Sequence, residues 1–253
     1  MRLIINADDL GASETVNDTV FELMSRKCVT SATLLANGSS IDKATKELVH
    51  FPYCSFGIHL NCTEFMPLAP KKGLAEILDG RGSFDRRLND NPAAVKKHLS
   101  LLCAIAKEWS CQIEKLLSRG IILSHFDSHH HVHTLPFLFP ALKYLQRKYR
   151  IRRVRISKNI YKPNENVSSI KLSMKYIYNF LLRNVYKTTT TSGFTDLVTF
   201  YENARWGRLR HNTVEVMVHP GCIVEEAGES GLVWSAWKED VPFKIELINY
   251  MQL

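Results

Sequence analysis

Short apolar runs alternate with amphipathic segments along this chain. Leu3-Ile4-Ile5 is followed by a polar turn and then by a helix that Ser13 opens, in which apolar residues recur at helical spacing. The same pattern recurs and predicts strands at residues 3–5, 31–36, 55–61, 120–124, 153–157, 194–201 and 213–218. Between them, the clearest predicted helices cover residues 92–119, 136–149 and 168–186.

Strands that alternate with helices predict a parallel sheet and an α/β fold. About seven such units in 253 residues favour a distorted, TIM-like (β/α) barrel over an open doubly wound sheet. No linker or internal repeat divides the chain, so residues 1–253 are predicted to form a single domain. Residues 63–91 are a candidate substrate-binding insertion, and residues 222–253 are predicted to close the barrel.

Composition excludes several classes of protein. Hydrophobic residues make up 45% of the chain, as in soluble globular proteins, and no apolar run approaches the ~20 residues that span a bilayer. The N-terminal apolar run is short and soon followed by acids, which is not typical of a signal peptide. The six cysteines are scattered without close pairs. The sequence therefore predicts a cytoplasmic protein with reduced cysteines and no membrane partner.

The net charge of +8 comes largely from one segment, residues 143–158, which holds eight Lys and Arg and no acid. Such a segment can bind phosphate or nucleic acid. However, Arg153, Arg155 and Ser157 alternate with apolar residues, which is typical of one face of a strand. We therefore predict a solvated basic rim. No nucleic-acid motif, Gly-rich dinucleotide loop or Walker loop is present, so no nucleic acid and no nucleotide cofactor are expected.

Four of the ten histidines lie within Asp127-Ser128-His129-His130-His131-Val132-His133, directly after the fourth predicted strand. Histidine is the commonest metal ligand in proteins. Other predicted strands also end in metal-compatible groups, namely Asp8, Asp9, His59 and His219. Because the carboxyl ends of barrel strands open on one face, these groups are predicted to meet at one mouth.

Imidazole combined with carboxylate suits zinc or another first-row divalent ion, whereas magnesium prefers an all-oxygen shell. Such an ion lowers the pKa of bound water and polarises a carbonyl oxygen. A second carboxylate can then act as base and a histidine as acid. The pattern thus favours metal-assisted amide or ester hydrolysis. The alternative for Asp8 is a capping role at the helix after Gly11.

Several of these motifs together resemble one family, the YdjC-like carbohydrate deacetylases. The resemblance rests on Asn6-Ala7-Asp8-Asp9-Leu10-Gly11, Thr30-Ser31-Ala32-Thr33 with Asn37-Gly38, Gly57-Ile58-His59-Leu60, the histidine cluster, and Met217-Val218-His219-Pro220-Gly221. It extends from residue 2 to about residue 221. It implies a distorted (β/α) barrel, related to the polysaccharide deacetylases, that removes N-acetyl groups from amino sugars.

The resemblance also implies roles for individual residues. Asp9, His59 and His129 would hold the metal, Asp8 would be the base and His219 the acid. The resemblance favours Mg²⁺, whereas the ligand chemistry makes Zn²⁺ equally acceptable. Three neighbouring histidines rank lower as metal ligands, and we expect them to orient a metal-binding residue or to close the loop: His130, His131 and His133.

The expected substrate is a small, acetylated amino sugar, on which exposed tryptophans can stack; the candidates are Trp206, Trp234 and Trp237. Two other functions are compatible with the sequence. One is a metal-dependent phosphoesterase, which would use a similar mouth. The other is a non-catalytic basic binding module, which leaves the converging strand ends unexplained. A homodimer is compatible with the sequence, which does not specify the oligomeric state.

Overall fold

The computed structural model of the protein describes residues 1–221 and 236–253. Within these residues the strands are β1 Arg2–Leu10, β2 Ser31–Leu34, β3 Ser55–Leu60, β4 Leu123–Ser128, β5 Gly193–Asp196, β6 Thr213–Val218 and β7 Glu246–Leu247. The α-helices are α1 Glu14–Ser25, α2 Ile41–Glu47, α3 Arg87–Asp90, α4 Leu99–Leu117, α5 Phe139–Tyr149, α6 Ser169–Asn184 and α7 Leu197–Ala204.

The strands form one parallel sheet in the order β4-β3-β2-β1-β6-β5, and β7 pairs in parallel with the start of β1. The sheet curls into a half-barrel with helices around it, which confirms the predicted distorted α/β barrel. Central strand β1 is almost entirely buried, because both faces of a parallel sheet are covered. The carboxyl ends of β1, β3, β4 and β6 therefore meet at one mouth.

Two strands differ from their predicted bounds because polar residues of these strands face the interior of the barrel. β1 does not end at residue 5 but continues to Leu10, so the predicted polar turn at residues 6–11 is mostly strand. The fourth strand is Leu123–Ser128 and not residues 120–124, and all six of its residues are buried. Both errors have one cause: carboxylates and imidazoles that point into a polar barrel interior look like loop residues in the sequence.

Two predicted boundaries are wrong because local capping decides them. The strand expected at residues 194–201 ends at Asp196, whose Oδ1 accepts a hydrogen bond from the backbone N–H of Thr199 at 2.8 Å and so begins α7. The helix expected from Pro92 begins only at Leu99, where the preceding His98 accepts from a backbone N–H of the first turn.

The strand expected at residues 153–157 is not formed as a regular strand. Val154 makes a single parallel bridge to Phe126 of β4, and Arg153 makes another to Thr189. Backbone hydrogen bonds on both sides of Phe126, at 2.9 Å each, keep the segment against β4. It therefore continues the curl of the sheet beyond β4 without forming a ladder.

The predicted insertion at residues 63–91 packs on α4. The carboxylate of Glu108 in α4 accepts hydrogen bonds from the backbone N–H groups of Leu68 and Ala69 at 3.1 and 2.6 Å. Apolar side chains of the insertion are buried beneath it: Leu74, Ile77, Phe84 and Leu88. This packing brings Glu64 to the mouth of the barrel. Of the predicted closing segment 222–253, residues 222–235 lie outside the described residues.

Candidate metal centre

Asp8 and Asp9 are adjacent in sequence but contact different partners at the end of β1. The φ angle of Asp9 is 63°, in the left-handed region that Asp tolerates better than most residues, and the pairing of β1 with β2 shifts register here. Asp8 turns to Arg155 inside the barrel, whereas Asp9 turns to His59 and His129. A regular strand would send the two carboxylates to opposite faces, so the irregularity is what brings both to the mouth.

Three candidate ligand atoms converge at the end of β1, one each from Asp9, His59 and His129. Oδ1 of Asp9 lies 3.1 Å from Nε2 of His59 and 2.8 Å from Nδ1 of His129. This buried oxygen nevertheless accepts no hydrogen bond from any residue that the structure describes. Ligand atoms that share one divalent ion at about 2.1 Å lie roughly 3 Å apart. The three residues therefore fit a divalent metal ion, and their donor set suits one.

A buried carboxylate fixes the orientation of His59. Nδ1 of His59 lies 2.7 Å from Oδ1 of Asp127, while the hydroxyl of Thr33 lies 3.1 Å from the same nitrogen and donates to Oδ2 of Asp127 at 3.0 Å. An imidazole that donates Nδ1–H to a carboxylate presents the lone pair of Nε2 on its other side. Asp127, which the sequence placed at the mouth, thus acts on the candidate metal centre through His59.

The turn after β4 aims His129 at the same point. His130 and His131 have φ angles of 51° and 54°, a conformation that costs a non-glycine residue roughly 1 kcal/mol or more. The tight turn leaves Nδ1 of His129 beside Asp9, and Nε2 of His129 lies 3.3 Å from a carboxylate oxygen of Glu64. Glu64 is a site neighbour that the sequence did not reveal.

The remaining histidines of the cluster have other partners. His133 is held by the hydroxyl of Ser128 at 2.6 Å and by the carbonyl of Arg155 at 3.1 Å, which fixes the turn. Nδ1 of His130 lies 3.0 Å from the hydroxyl of Thr63. The ring of His131 packs edge-on against an aromatic ring of β5. Their lower rank as metal ligands stays a prediction, since His130 also forms a second group that could hold a metal ion, with Glu64 and His129.

Arg155 is the buried cation of the site, and the prediction that it belongs to a solvated rim is wrong. Its side chain is 0% exposed. The guanidinium binds both carboxylate oxygens of Asp8 at 2.6 and 2.7 Å, and reaches oxygens of Asp127 at 2.8 Å and Glu215 at 2.7 Å. A guanidinium suits this place because its planar fork can serve several carboxylates at once. Lys143 of the same basic segment is also buried.

His219 follows β6 and lies across the mouth from the metal ligands. Its Nε2 is 3.8 Å from Oδ2 of Asp8. His219 precedes Pro220, which restricts its backbone to extended conformations. The candidate base and the candidate acid are therefore neighbours, beside the three converging ligand atoms.

Charges within the site shift the pKa values of its members. Burial raises the pKa of Asp9, but neighbouring His129 and His59 outweigh it and hold the value well below the usual range. Burial lowers the pKa of His59, but Asp127 and Asp9 outweigh it and hold the value well above the usual range. Burial lowers the pKa of His129 too, and Asp9 raises it overall. Because a metal ion needs these ligands deprotonated, metal affinity is expected to fall as the pH falls.

The C-terminal residues complete the interior below Arg155. The hydroxyl of Tyr250 donates a hydrogen bond to Oε2 of Glu215, and its ring stacks on His125 with the centroids 3.5 Å apart. Burial raises the pKa of the Glu215 carboxyl to about 7, although Arg155 lowers it. The neighbouring carboxylates of Asp127 and Asp8 add to the effect of burial, because the three carboxyl groups share one guanidinium.

We expect this carboxyl to make stability pH-dependent. Between about pH 4.5 and 7 the folded protein keeps a proton on Glu215 that the unfolded chain has lost, so its contribution to the free energy of unfolding falls as the pH rises through this window. Replacing Glu215→Gln keeps the shape and removes the titration. Relative to the variant, the wild type should lose up to ~3 kcal/mol between these pH values, which urea denaturation at both pH values measures.

The matched control is Glu239→Gln, since Glu239 is an exposed carboxylate. It should leave the pH dependence of the urea midpoint as in the wild type. If Glu215→Gln shows the same pH dependence as the wild type, the carboxyl of Glu215 is ionised throughout this range and the expectation is wrong.

The tryptophans named as sugar-stacking candidates are placed differently. Trp237 is 2% exposed and packs edge-on against Phe200 of α7, so it belongs to the core. Trp206 is 63% exposed. Trp234 lies outside the described residues.

Comparisons with known proteins identify the family and support the fold. The profile of the family described as YdjC-like protein matches residues 2–241. A carbohydrate deacetylase of Oceanobacillus iheyensis is 28% identical over 258 residues, covering 100% of both chains. One of Clostridium beijerinckii is 29% identical over 225 residues, covering 88% of this chain and 82% of that one. One of Halalkalibacterium halodurans is 33% identical over 149 residues, covering 59% and 61%.

A solved structure shows the same fold. It comes from Enterococcus faecalis V583, is described as that of a cellobiose-phosphate cleavage protein, and matches with a TM-score of 0.77 at 24% identity, covering 99% of this chain and 98% of that one. The family profile extends over nearly the whole sequence, and the motifs that carried the sequence resemblance lie at the converging strand ends. The chain therefore belongs to the YdjC-like family.

Proposed function

We propose that this protein hydrolyses the N-acetyl group of an amino sugar or short acetylated oligosaccharide, with a divalent metal ion as cofactor. The observation that carries the proposal is the buried Oδ1 of Asp9, which lies beside two imidazole nitrogens and accepts no hydrogen bond from the described residues. The relatives named carbohydrate deacetylases support the choice of an acetylated sugar.

Asp9, His59 and His129 would hold the ion. When bound there, the ion would polarise the amide carbonyl and lower the pKa of a water molecule. Two imidazoles and one carboxylate suit zinc, and family resemblance favours magnesium. The hydrogen bond between His59 and Asp127 keeps Nε2 of His59 free to ligate.

The proton transfers fall to residues of the chain itself. Asp8 would take a proton from the attacking water, and Arg155 holds its carboxylate in a fixed plane through two hydrogen bonds. His219 would give a proton to the sugar nitrogen as the C–N bond of the amide breaks. Amide hydrolysis needs both steps, because an amine anion is a poor leaving group.

The direct test of this function is release of acetate from N-acetylglucosamine and its short oligomers by the purified protein supplied with Zn²⁺ or Mg²⁺. We expect acetate in stoichiometric amount with the free amine. Release of phosphate from sugar phosphates, with no acetate from any acetylated sugar, would contradict the proposal. The relatives named carbohydrate deacetylases favour acetate over phosphate as the group released.

Removing either proton-transfer group should reduce turnover and leave the metal in place. Asp8→Asn and His219→Ala are each expected to lose on the order of 10²–10⁴ in turnover, the usual effect of a positioned acid or base. The pH–rate profile should lose its acidic limb in Asp8→Asn and its basic limb in His219→Ala. Metal content per chain and steady-state acetate release measure both effects.

Asp18→Asn and His50→Ala are matched controls, since both residues are exposed. They should keep wild-type turnover and wild-type pH profiles. Near-normal turnover in Asp8→Asn would return Asp8 to a structural partner of Arg155.

A further inference from the structure

One helix turns an apolar face outward. Residues Ile170, Met174, Ile177 and Leu181 of α6 recur at spacings of four, three and four, which places them on one side of a helix. They are 41–76% exposed, and two aromatic residues on the adjoining exposed surface of the helix, Tyr176 and Phe180, are 73% and 55% exposed. We call these six residues the outer face of α6. A contiguous exposed apolar surface of this kind marks a site of interaction.

The inner side of α6 is fixed to the mouth of the barrel. The hydroxyl of Tyr178 donates to the carbonyl of His133 at 3.0 Å, in the turn that carries the histidine cluster. The side chain of Asn179 makes hydrogen bonds to both the N–H and the carbonyl of Ser157, at 2.8 and 3.1 Å. The outer face thus lies about one helix diameter, ~10 Å, from the histidine turn.

Positive charge is concentrated in the same part of the chain. Residues 143–195 hold 13 Lys and Arg and a single acid, Glu165, whereas the rest of the chain holds 20 Lys and Arg against 24 acids. The segment is therefore +12 and the remainder −4. Two of its bases, Lys143 and Arg155, are buried, and the other eleven are partly or fully exposed. At the C-terminal end of α6, four bases line one surface hollow together with Tyr186: Arg147, Arg150, Arg152 and Lys187.

This charge decides which occupant the outer face fits. A two-fold contact with a second copy would place the same basic segment of each chain against the other, which like charges oppose. An anionic bilayer accepts both features, since apolar side chains enter the boundary between headgroups and acyl chains while Lys and Arg meet lipid phosphates. None of the described helices has the length and hydrophobicity of a membrane span. We propose that the outer face of α6 docks on the surface of an anionic phospholipid bilayer, which would correct the expectation from the sequence that the protein has no membrane partner.

Vesicle binding by the full-length protein tests this docking directly. Vesicles with roughly 30 mol % phosphatidylglycerol should co-sediment with the protein, whereas pure phosphatidylcholine vesicles should not. Replacing two residues of the outer face, Ile177→Ser with Phe180→Ser, should weaken binding at least about tenfold. Lys171→Gln with Lys187→Gln should weaken it by roughly tenfold and reduce its dependence on salt.

The matched control replaces two exposed apolar residues outside α6, Val49→Ser with Ile122→Ser, and should bind vesicles like the wild type. Acetate release from a soluble sugar should be unchanged in every one of these variants, which separates a failure of docking from a failure of the proposed function. Equal binding to both kinds of vesicle, or none to anionic vesicles, would overturn the proposal. A wild-type dimer that Ile177→Ser with Phe180→Ser converts to monomers, without vesicle binding, would assign the face to a second copy.

Discussion

Replacing His59 or His129 by alanine is expected to remove the metal ion and to reduce turnover by at least about 10³, because a bound ion stabilises the transition state by several kcal/mol. The reason lies in the geometry around Asp9, whose Oδ1 lies 3.1 Å from Nε2 of His59 and 2.8 Å from Nδ1 of His129. Elemental analysis gives the metal content per chain, and acetate release gives the turnover. Thermal unfolding should show that both variants remain folded.

The variant His130→Ala is the control for the candidate metal ligands His59 and His129. His130 belongs to the same turn but directs its Nδ1 to Thr63, so its variant should keep the metal and most of the turnover. Chelation of the wild type should abolish activity, and adding back Zn²⁺ or Mg²⁺ separately should show which ion restores it. Full metal occupancy and full activity in both His59→Ala and His129→Ala would show that the ligand assignment is wrong.

The sequence predicted the convergence of Asp9, His59 and His129 because of how parallel sheets are built. Each strand ends at the same edge of such a sheet, so residues that follow strands meet there whatever their distance in sequence. Asp9, His59 and His129 are separated by 50 and 70 positions in the chain and nevertheless lie within 3.1 Å of one oxygen of Asp9. The predicted break in β1 is also present, at the left-handed φ of Asp9.

The partners of these residues could not be predicted in the same way. Arg155 alternates with buried Val154 and Ile156, and such alternation usually means that the polar position faces water. The side chain of Arg155 instead points into the interior of the barrel, which holds three carboxylates. This excess of negative charge was the only indication of a buried cation. Tyr250 reaches Glu215 from a C-terminal segment whose short strand, β7, shows no pattern in the sequence.

Local sequence signals for strand and helix compete within one predicted strand. Residues 194–201 are rich in β-branched and aromatic side chains, which favour a strand, but the capping hydrogen bond of Asp196 starts a helix within the same run. The amphipathic pattern of residues 168–186 predicted α6 correctly. It did not reveal that much of the apolar surface of this helix faces outward, because periodicity gives a face but not its direction.

Replacing Arg155→Met should destabilise the folded protein by about 3–5 kcal/mol at neutral pH, the usual cost of removing one partner from a buried ion pair. The variant leaves the buried carboxylates of Asp8, Asp127 and Glu215 close together and removes the guanidinium that offsets their repulsion. Urea denaturation measures the change. Arg152→Met, an exposed position in the same segment, is the matched control and should shift stability by less than ~0.5 kcal/mol.

The pH dependence of the stability lost in Arg155→Met distinguishes charge repulsion from packing as the cause. In the wild type, burial raises the pKa of Asp127, but Arg155 and His59 outweigh it and hold the value well below the usual range, so its stabilising contribution persists until the solution is strongly acidic. Without Arg155, less positive charge opposes the effect of burial, so the pKa values of Asp127 and Glu215 rise in the folded protein. The folded variant then binds protons that the unfolded chain has released, and its stability recovers as the pH falls from about 7 toward 5.

Arg155→Lys keeps the charge but loses the planar fork, so it should fall between the wild type and Arg155→Met. It also keeps the test decisive if the methionine variant does not fold. A loss in Arg155→Met that is the same at pH 7 and pH 5 would mean that packing, and not charge, is the main contribution of this side chain. Together with the turnover of Arg155→Lys, this comparison separates the role of Arg155 in stability from its role in holding Asp8 beside the attacking water.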